Sequence, residues 1–546
     1  MQVLHRKPLV SGEIAKDYYY NYNHLASRFE VAPDDYMQYA KRVTNNLPHR
    51  RELSECLQVY NEKLGAGKKS IANAGNLARE DCLVVVAGQQ TGFLTGPALT
   101  IYKAMTAVRM ADKLSSQLQR PVVPIFWMAG EDHDYAEVNR LQIIDVKNRR
   151  KLIESRTKPL GRPSAGSTTI FKEDEFFHRL AAALPDTDWG QKLVTEIKQA
   201  AEEATDLNHW FGFLMLKLMG KYGLVMMNPM LPEIRKISQP IFQRAIIESA
   251  ELQHQLLTGE RALRELGYTP EITKKPGHMN LFYYDDDGNR MPLYLHQDQV
   301  CTRGELADWQ MPLADLIAIC QSDPAKFSPG VALRPVLQDY LLPTALFVAG
   351  PGEINYLAQL KEVYRGFGIS MPPIYPRAQI TVVGLKENNI LRELAVGDDW
   401  LETGFKQYIE KYLAKRDPVN ISETINEKKR IIKEQHQQLV EQFEQLDNKF
   451  STIGEENWQK IDGHLSYMAK KAVQSLRKKH REFLKRVDTV EDVLSPGGNC
   501  QENIYSFYSL LIYFGETLLP ILDQVDFTDV WHHQLVYLSK QIHEVE

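Results

Sequence analysis

Cys82-Leu-Val-Val-Val-Ala-Gly-Gln-Gln-Thr-Gly-Phe-Leu-Thr-Gly-Pro97 is the stretch that decides the fold. Cys82–Ala87 is an unbroken apolar run rich in Val, as expected of a parallel strand buried on both faces. Gly88–Pro97 then reads as a loop, with Pro97 in the place of a first-turn proline. Ile101, Ala104, Met105, Val108, Ala111 and Leu114 follow at helical spacing. The passage spells strand, glycine-containing loop, helix.

The same order recurs along the chain. Val122–Ala129 is a second apolar run, closed by Gly130-Glu-Asp-His-Asp134; Leu224–Met227 is a third, followed by Asn228-Pro229. Ala345–Ala349 is a fourth, after which Gly350-Pro-Gly-Glu353 opens a helix. Strands alternating with helices predict an α/β fold with a doubly wound parallel sheet, its strand-end loops gathered on one edge. Residues 150–220 and 255–340 do not fit the alternation and read as insertions: the first with an amphipathic helix near Lys192–Leu216, the second with a hairpin across Leu281–Leu295. The acidic turn Asp285–Asp287 lacks calcium-loop spacing, because position 283 is Tyr.

Residues 1–80 look helical and polar. Gly65-Ala-Gly-Lys-Lys-Ser70 resembles a phosphate loop only superficially: its first Gly would fall on Glu62, Lys69 stands where Ser or Thr is needed, and no strand precedes it. From 396 to 494 the pattern is helical and charged. Ile432, Leu439, Phe443, Leu446, Phe450 and Ile453 follow coiled-coil steps, and Ser451–Gly454 is a candidate turn or bend. Residues 495–546 form a last helical segment expected to pack on the core. The predicted domains are therefore 1–80, 81–395 with its two insertions, 396–494 and 495–546.

At 546 residues, 43% hydrophobic and 25% charged, the chain has material for a large packed core. Its net charge of −5 argues against a general nucleic-acid binder, and the basic run Lys470–Arg486 is read as a solvated helix face. No apolar run reaches the length of a membrane span, and no apolar segment follows His5-Arg-Lys7 as a secretory signal requires. Five scattered cysteines without a CxxC pair fit reduced thiols, so a cytoplasmic location is expected and no resident metal site.

Ligands of open parallel sheets bind outside the carboxyl ends of the strands, which selects the loops after each apolar run. Gln89, Gln90, Thr95 and Gly96 lie at a predicted helix N-terminus suited to an anion. Gly350 and Gly352 allow close backbone approach, or simply a tight turn. Glu131-Asp-His-Asp134 carries acids and an imidazole able to hold an amine, transfer a proton or bind a cation; the plainer account is that the acids cap a helix and pair with arginines. Ser495-Pro-Gly-Gly-Asn-Cys-Gln-Glu-Asn503 is either a helix corner or a nucleotide pocket. No G-x-S-x-G elbow, H-E-x-x-H helix or strand-linked G-x-G-x-x-G occurs.

Val86–Lys103, Phe126–Val138, Phe347–Tyr356, Leu333–Pro343 and Tyr375-Pro-Arg377 resemble the cysteine-adding ligase family of bacillithiol biosynthesis, and the resemblance covers nearly the whole chain. It implies formation of an amide between the carboxyl of cysteine and the amine of glucosaminyl-malate. It also implies a Rossmann-like core similar to class I aminoacyl-tRNA synthetases, connective insertions, a coiled coil associated with homodimers, and ADP binding outside the cleft. The chain departs from the synthetases in having neither H-x-G-H nor K-M-S-K-S. Dependence on ATP, with Mg²⁺ accompanying it, is therefore expected, while adenylate and acyl-phosphate activation both stay open.

On this reading Gln89, Gln90, Thr95 and Gly96 hold polar or anionic groups, and Asp132, His133 and Asp134 meet the amine, His133 as base. Gly350, Gly352, Glu353, Asn355 and Arg377 complete the wall, Arg377 facing a malate carboxylate. Ser495, Gly497, Gly498, Asn499, Gln501 and Asn503 are the candidate nucleotide contacts. The rival functions are a ligase joining another amino acid to a different amine, and a non-catalytic scaffold that senses a nucleotide or metabolite.

Overall fold

The computed structural model describes residues 1–302, 309–397 and 399–538. Its strands, in chain order, are β1 Gln2–Arg6, β2 Leu83–Gln89, β3 Val122–Met128, β4 Arg140–Ile144, β5 Arg150–Glu154 and β6 Val225–Met227. Then come β7 His278–Tyr284, β8 Arg290–His296, β9 Gln299–Thr302, β10 Gln310–Pro312, β11 Phe327–Pro329, β12 Thr344–Ala349, β13 Ile374–Pro376, β14 Gln379–Val383 and β15 His533–Tyr537. Five helices matter below: α1 Leu99–Leu118, α2 Pro351–Leu357, α3 Ile421–Glu444, α4 Phe450–Lys479 and α5 Arg481–Leu494.

All four apolar runs are strands of one parallel sheet in the order β13-β12-β2-β3-β6. Every residue of β3 and β12, and β2 up to Gly88, is buried, which is why these strands read as continuous apolar runs rather than alternating ones. From β2 the chain steps outward through β3 to β6, then returns to place β12 on the other side of β2. The direction of winding therefore reverses between β2 and β12, and the loops after them diverge to open a crevice.

The second insertion is an antiparallel sheet, β10-β9-β8-β7-β11, containing the expected hairpin. Its turn is tied by Asn289, whose N–H donates to Asp285 Oδ1 at 2.7 Å. The first insertion, expected from 150, is preceded by β4, which pairs with β5 in a hairpin; the rest of the insertion is mainly helical. The single helix expected near Lys192–Leu216 is two, Asp188–Glu203 and Leu207–Met219, because Asp206 caps the second by accepting from His209 N at 2.8 Å. Residues 1–80 are mostly helical but begin with β1, which the sequence reading did not foresee; it pairs antiparallel with β15 in a sheet ordered β1-β15-β14. Gly65–Ser70 joins two helices, with Gly67 capping Lys68–Asn76.

The chain divides into two compact units: residues 1–382 with 499–546, and residues 383–498. In the second, α3 and α4 form an antiparallel hairpin in which Lys429 meets Asp462 at 2.7 Å and His436 Nε2 lies 3.0 Å from Asn457 Oδ1. The turn precedes Phe450, so Ser451–Gly454 lies inside α4 rather than turning the chain. Gly454 is there for close approach: a Cβ would lie 2.5 Å from Val440 Cγ2. Leu439, Phe443, Leu446, Ile453, Tyr467 and Met468 are each at least 40% exposed.

Candidate active site

A cavity of about 440 Å³ opens at the β2–β12 reversal. Its floor comes from the strand ends and the loops after them: Gly88, Gln89 and Gln90 at the end of β2, Glu131, Asp132 and His133 after β3, and Glu353 and Tyr356 of α2 after β12. The facing wall comes from the second insertion and the segment behind it, with Lys274, Phe282, Arg290, Pro329, Gly330 and Arg334.

Lys103, in the apolar interior of α1, crosses the floor. Its ammonium donates to Gly88 O and Gln89 Oε1, both at 3.0 Å, and to the Glu353 carboxylate. Burial pulls its pKa down, and the Glu353 charge opposes that shift. Glu353 also accepts from Gly350 N at 2.7 Å, so the same carboxylate caps α2 and ties it to α1.

The loop after β3 is clamped by residues 164–166: Ala165 N donates to Asp132 O at 2.7 Å and Gly166 N to Gly130 O at 2.8 Å. A Cβ at Gly130 would lie 2.1 Å from Asn208 Oδ1, so a larger residue there would displace the buried Asn208 amide. Glu131 is buried in an ion pair with Arg235. Gln90 Nε2 donates to Asp132 Oδ2 at 3.0 Å, at one corner of the cavity, and to Glu137 Oε2 at 2.9 Å outside the lining.

His133 stands between two guanidinium groups. Arg162 Nη2 contacts Nε2, and Arg290 Nη1 lies 3.4 Å from Nδ1. Burial, Arg162 and Arg290 hold its pKa below the ordinary imidazole value, against the pull of Asp132 and Asp134. The lowered pKa favours the neutral ring, in which one nitrogen accepts from an arginine and the other carries the proton; Nδ1 lies 3.7 Å from Asp132 Oδ1. Arg290 is fixed by Ser328 Oγ and Pro329 O, each at 2.9 Å, and lies 3.6 Å over the Phe282 ring. Arg334 donates to Tyr356 OH at 3.0 Å. Lys274 is depressed by burial and by Arg290. Lys274, Arg290 and Arg334 thus form a cationic wall facing the Gln90–Asp132 corner.

Of the residues expected from the sequence, Gln89, Gln90, Asp132, His133 and Glu353 line this cavity. Gly350 sits behind it, with the site of its missing Cβ 3.5 Å from Lys103 Cε. Gly352 is open, with nothing within 4 Å of where its Cβ would be. Asp134 is exposed outside the lining and precedes a short helix at Tyr135.

Thr95 and Gly96 are buried away from the cavity. The returning chain covers the start of α1, with Ala98 N donating to Tyr505 O at 2.7 Å, so this helix terminus holds a backbone carbonyl instead of a ligand. Asn355 faces the N-terminal segment, accepting from Ala15 N at 2.8 Å and donating to Glu271 at 2.7 Å. Arg377 is buried and committed to Ala378 O, Glu502 Oε1 and Asn503 Oδ1 at 2.9, 3.3 and 2.7 Å.

The expected nucleotide corner is likewise committed in part. Gln501 pairs with the Val382 peptide through both ends of its amide, at 2.9 and 3.1 Å, and Asn503 holds Arg377. Ser495 continues the hydrogen bonding of α5 to Glu491 O at 2.8 Å, and Gly497 and Gly498 take the left-handed backbone there, with φ of 63° and 79°. Asn499 opens the returning part of the first unit.

Lys274, Arg290 and Arg334, which line the cavity, and Lys103 and Arg162, which contact its lining residues, were not among the residues expected from the sequence. Lys103 had a signal, a lysine among the apolar positions of α1; the other four arrive from distant segments with none.

Two family models cover the chain. "Bacillithiol biosynthesis BshC, N-terminal Rossmann-like domain" matches residues 1–378, and "Bacillithiol biosynthesis BshC, C-terminal coiled-coil domain" matches 380–538. Proteins named "Putative cysteine ligase BshC" are similar throughout. The one from Desulforamulus reducens is 32% identical over 94% of this chain and 95% of its own length; that from Symbiobacterium thermophilum is 34% identical over 90% of each. A solved structure titled as a putative arginyl tRNA synthetase from Campylobacter jejuni aligns with 83% of this chain and 99% of its own, at 10% identity and a TM-score of 0.23, too slight a likeness to bear on the fold.

Proposed function

The chain belongs to the BshC family of bacillithiol biosynthesis, and from that membership and the cavity's two-sided charge we propose that it is an ATP-dependent ligase joining cysteine to glucosaminyl-malate. The observation that carries the reading is the opposition, within one cavity, of the Lys274–Arg290–Arg334 wall and the Gln90–Asp132 corner. A substrate with two carboxylates at one end and an amine at the other needs that arrangement: cations for the malate end, a carboxylate for the ammonium.

The amine attacks the activated carboxyl carbon of cysteine. A C–N bond forms, the bond to the leaving phosphate or AMP breaks, and the amine gives up a proton. Asp132 and Gln90 hold the amine. His133, kept neutral, takes the proton once the bound anion draws Arg162 off Nε2, and Asp132 then faces the imidazolium. ATP and Mg²⁺ supply the activation. The exposed apolar stripe of α3 and α4, at Leu439, Phe443 and Met468, supports a homodimer through the coiled coil.

The test is mass spectrometry of the purified chain with ATP, Mg²⁺, cysteine and glucosaminyl-malate. The amide appears only with ATP, its nucleotide product separating adenylate (AMP) from acyl-phosphate (ADP) activation, and His133→Ala loses turnover while remaining folded. Product formed without ATP, or none from the folded chain, refutes the reading.

A further inference from the structure

Behind Arg377, away from the cavity lining, three side chains of metal-binding type converge in the first unit. Cys500, Glu502 and His533 are all buried, and their ligand atoms lie within 4.8 Å of one another. Glu502 is fully buried, and its two oxygens differ: Oε1 lies 3.3 Å from Arg377 Nη1, whereas Oε2 is buried with no hydrogen-bond partner among the described residues. A carboxylate oxygen kept dry and unpaired costs several kcal/mol by order of magnitude, so the fold retains it against a strong penalty.

His533 is already oriented as a metal ligand would be. Gln379 Oε1 lies 3.3 Å from Nδ1 and Thr381 Oγ1 lies 2.9 Å from Nε2. Whichever nitrogen ligates, the other has an oxygen to receive its N–H, the usual support for a metal-bound imidazole. A soft thiolate, a borderline imidazole and a hard carboxylate make a mixed donor set of the kind zinc accepts.

We propose that Cys500, Glu502 and His533 form a buried zinc site that fastens the returning C-terminal segment to β15. The metal supplies the charge that the orphaned Glu502 Oε2 lacks and binds Cys500 as its thiolate. The fastened segment is the one that carries Asn503 and Glu502 onto Arg377 and Gln501 onto β14. The donors are 31 residues apart across the Glu502–His533 gap, so no motif spacing announces them. A second cluster, His5 with Asp529 and His532, lies at the surface and serves as the internal control.

The full-length chain, purified without chelator or metal-affinity tag, is analysed for zinc by plasma mass spectrometry and then exchanged with Co²⁺. The expected result is one zinc per chain and a near-ultraviolet thiolate-to-cobalt charge-transfer band. Cys500→Ser abolishes the band and weakens metal binding by at least about tenfold; if that chain does not fold, His533→Gln is read in the same way. His532→Ala changes neither. A folded wild-type chain that contains no zinc and gives no thiolate band overturns the site. So does metal that survives in Cys500→Ser and disappears in His532→Ala, which would place it at the surface cluster.

Discussion

Replacing Lys103 by Met removes a buried ammonium while keeping the apolar stem that packs within α1. Gly88 O and Gln89 Oε1 each lose a donor, and the Glu353 carboxylate, 19% exposed, keeps only the Gly350 N–H. Breaking a buried ion pair costs about 3–5 kcal/mol, and the residual exposure of Glu353 places this one near about 3 kcal/mol. Glu353→Gln leaves the ammonium its two neutral acceptors and costs about 2 kcal/mol. The double substitution removes both charges, so its cost is about 3 kcal/mol rather than the sum, a coupling of about 2 kcal/mol. Urea unfolding followed by tryptophan fluorescence, with midpoints and slopes fitted for all four chains, gives the cycle. Single effects that add to within about 0.5 kcal/mol would show that the two residues are not a unit and would refute the floor described for the cavity.

Lys274→Met raises KM for glucosaminyl-malate by about tenfold, the loss of one charge-assisted contact, with kcat changed much less and stability not lowered, since burial already disfavours this charge; steady-state kinetics and a melting curve read both. His278, buried beside Lys274, has its pKa lowered from 6.5 to about 4. The unfolded chain therefore binds the proton first, and stability falls by about 2 kcal/mol between pH 7 and pH 5, a loss absent in His278→Gln and measured as the difference between their unfolding midpoints. Gly454→Ala and Gly463→Ala, both inside α4, should have opposite signs: the first meets Val440 and destabilises the helical hairpin by about 1–3 kcal/mol, while the second meets nothing and stabilises by about 0.5–1 kcal/mol, as thermal unfolding by circular dichroism will show.

The parallel core was legible because β2, β3, β6 and β12 are dry on both faces, and only continuous apolar runs survive there. The same reasoning placed half of the cavity, since the loops after β2, β3 and β12 end on one edge by the handedness of the crossovers. Thr95, Gly96, Asn355 and Arg377, expected from the same reasoning, lie outside this cavity. The edge rule says which end of a strand faces a ligand but not which loop residues turn inward, nor that the chain returns near 505 to cover the start of α1.

What the sequence determined by itself is what depends on local periodicity and near-neighbour chemistry: the strand–loop–helix repeats, the charged helical hairpin, the second insertion's turn, the family. What only the tertiary structure decided is which charges meet. Lys103 finds Glu353 250 residues away, Arg290 reaches His133 across 157, and Glu502 meets His533 from another element. Pairing of that kind is set by strand order and by the exclusion of water. Neither is written in the spacing of residues along the chain, and both change what a given lysine, histidine or carboxylate costs and can do.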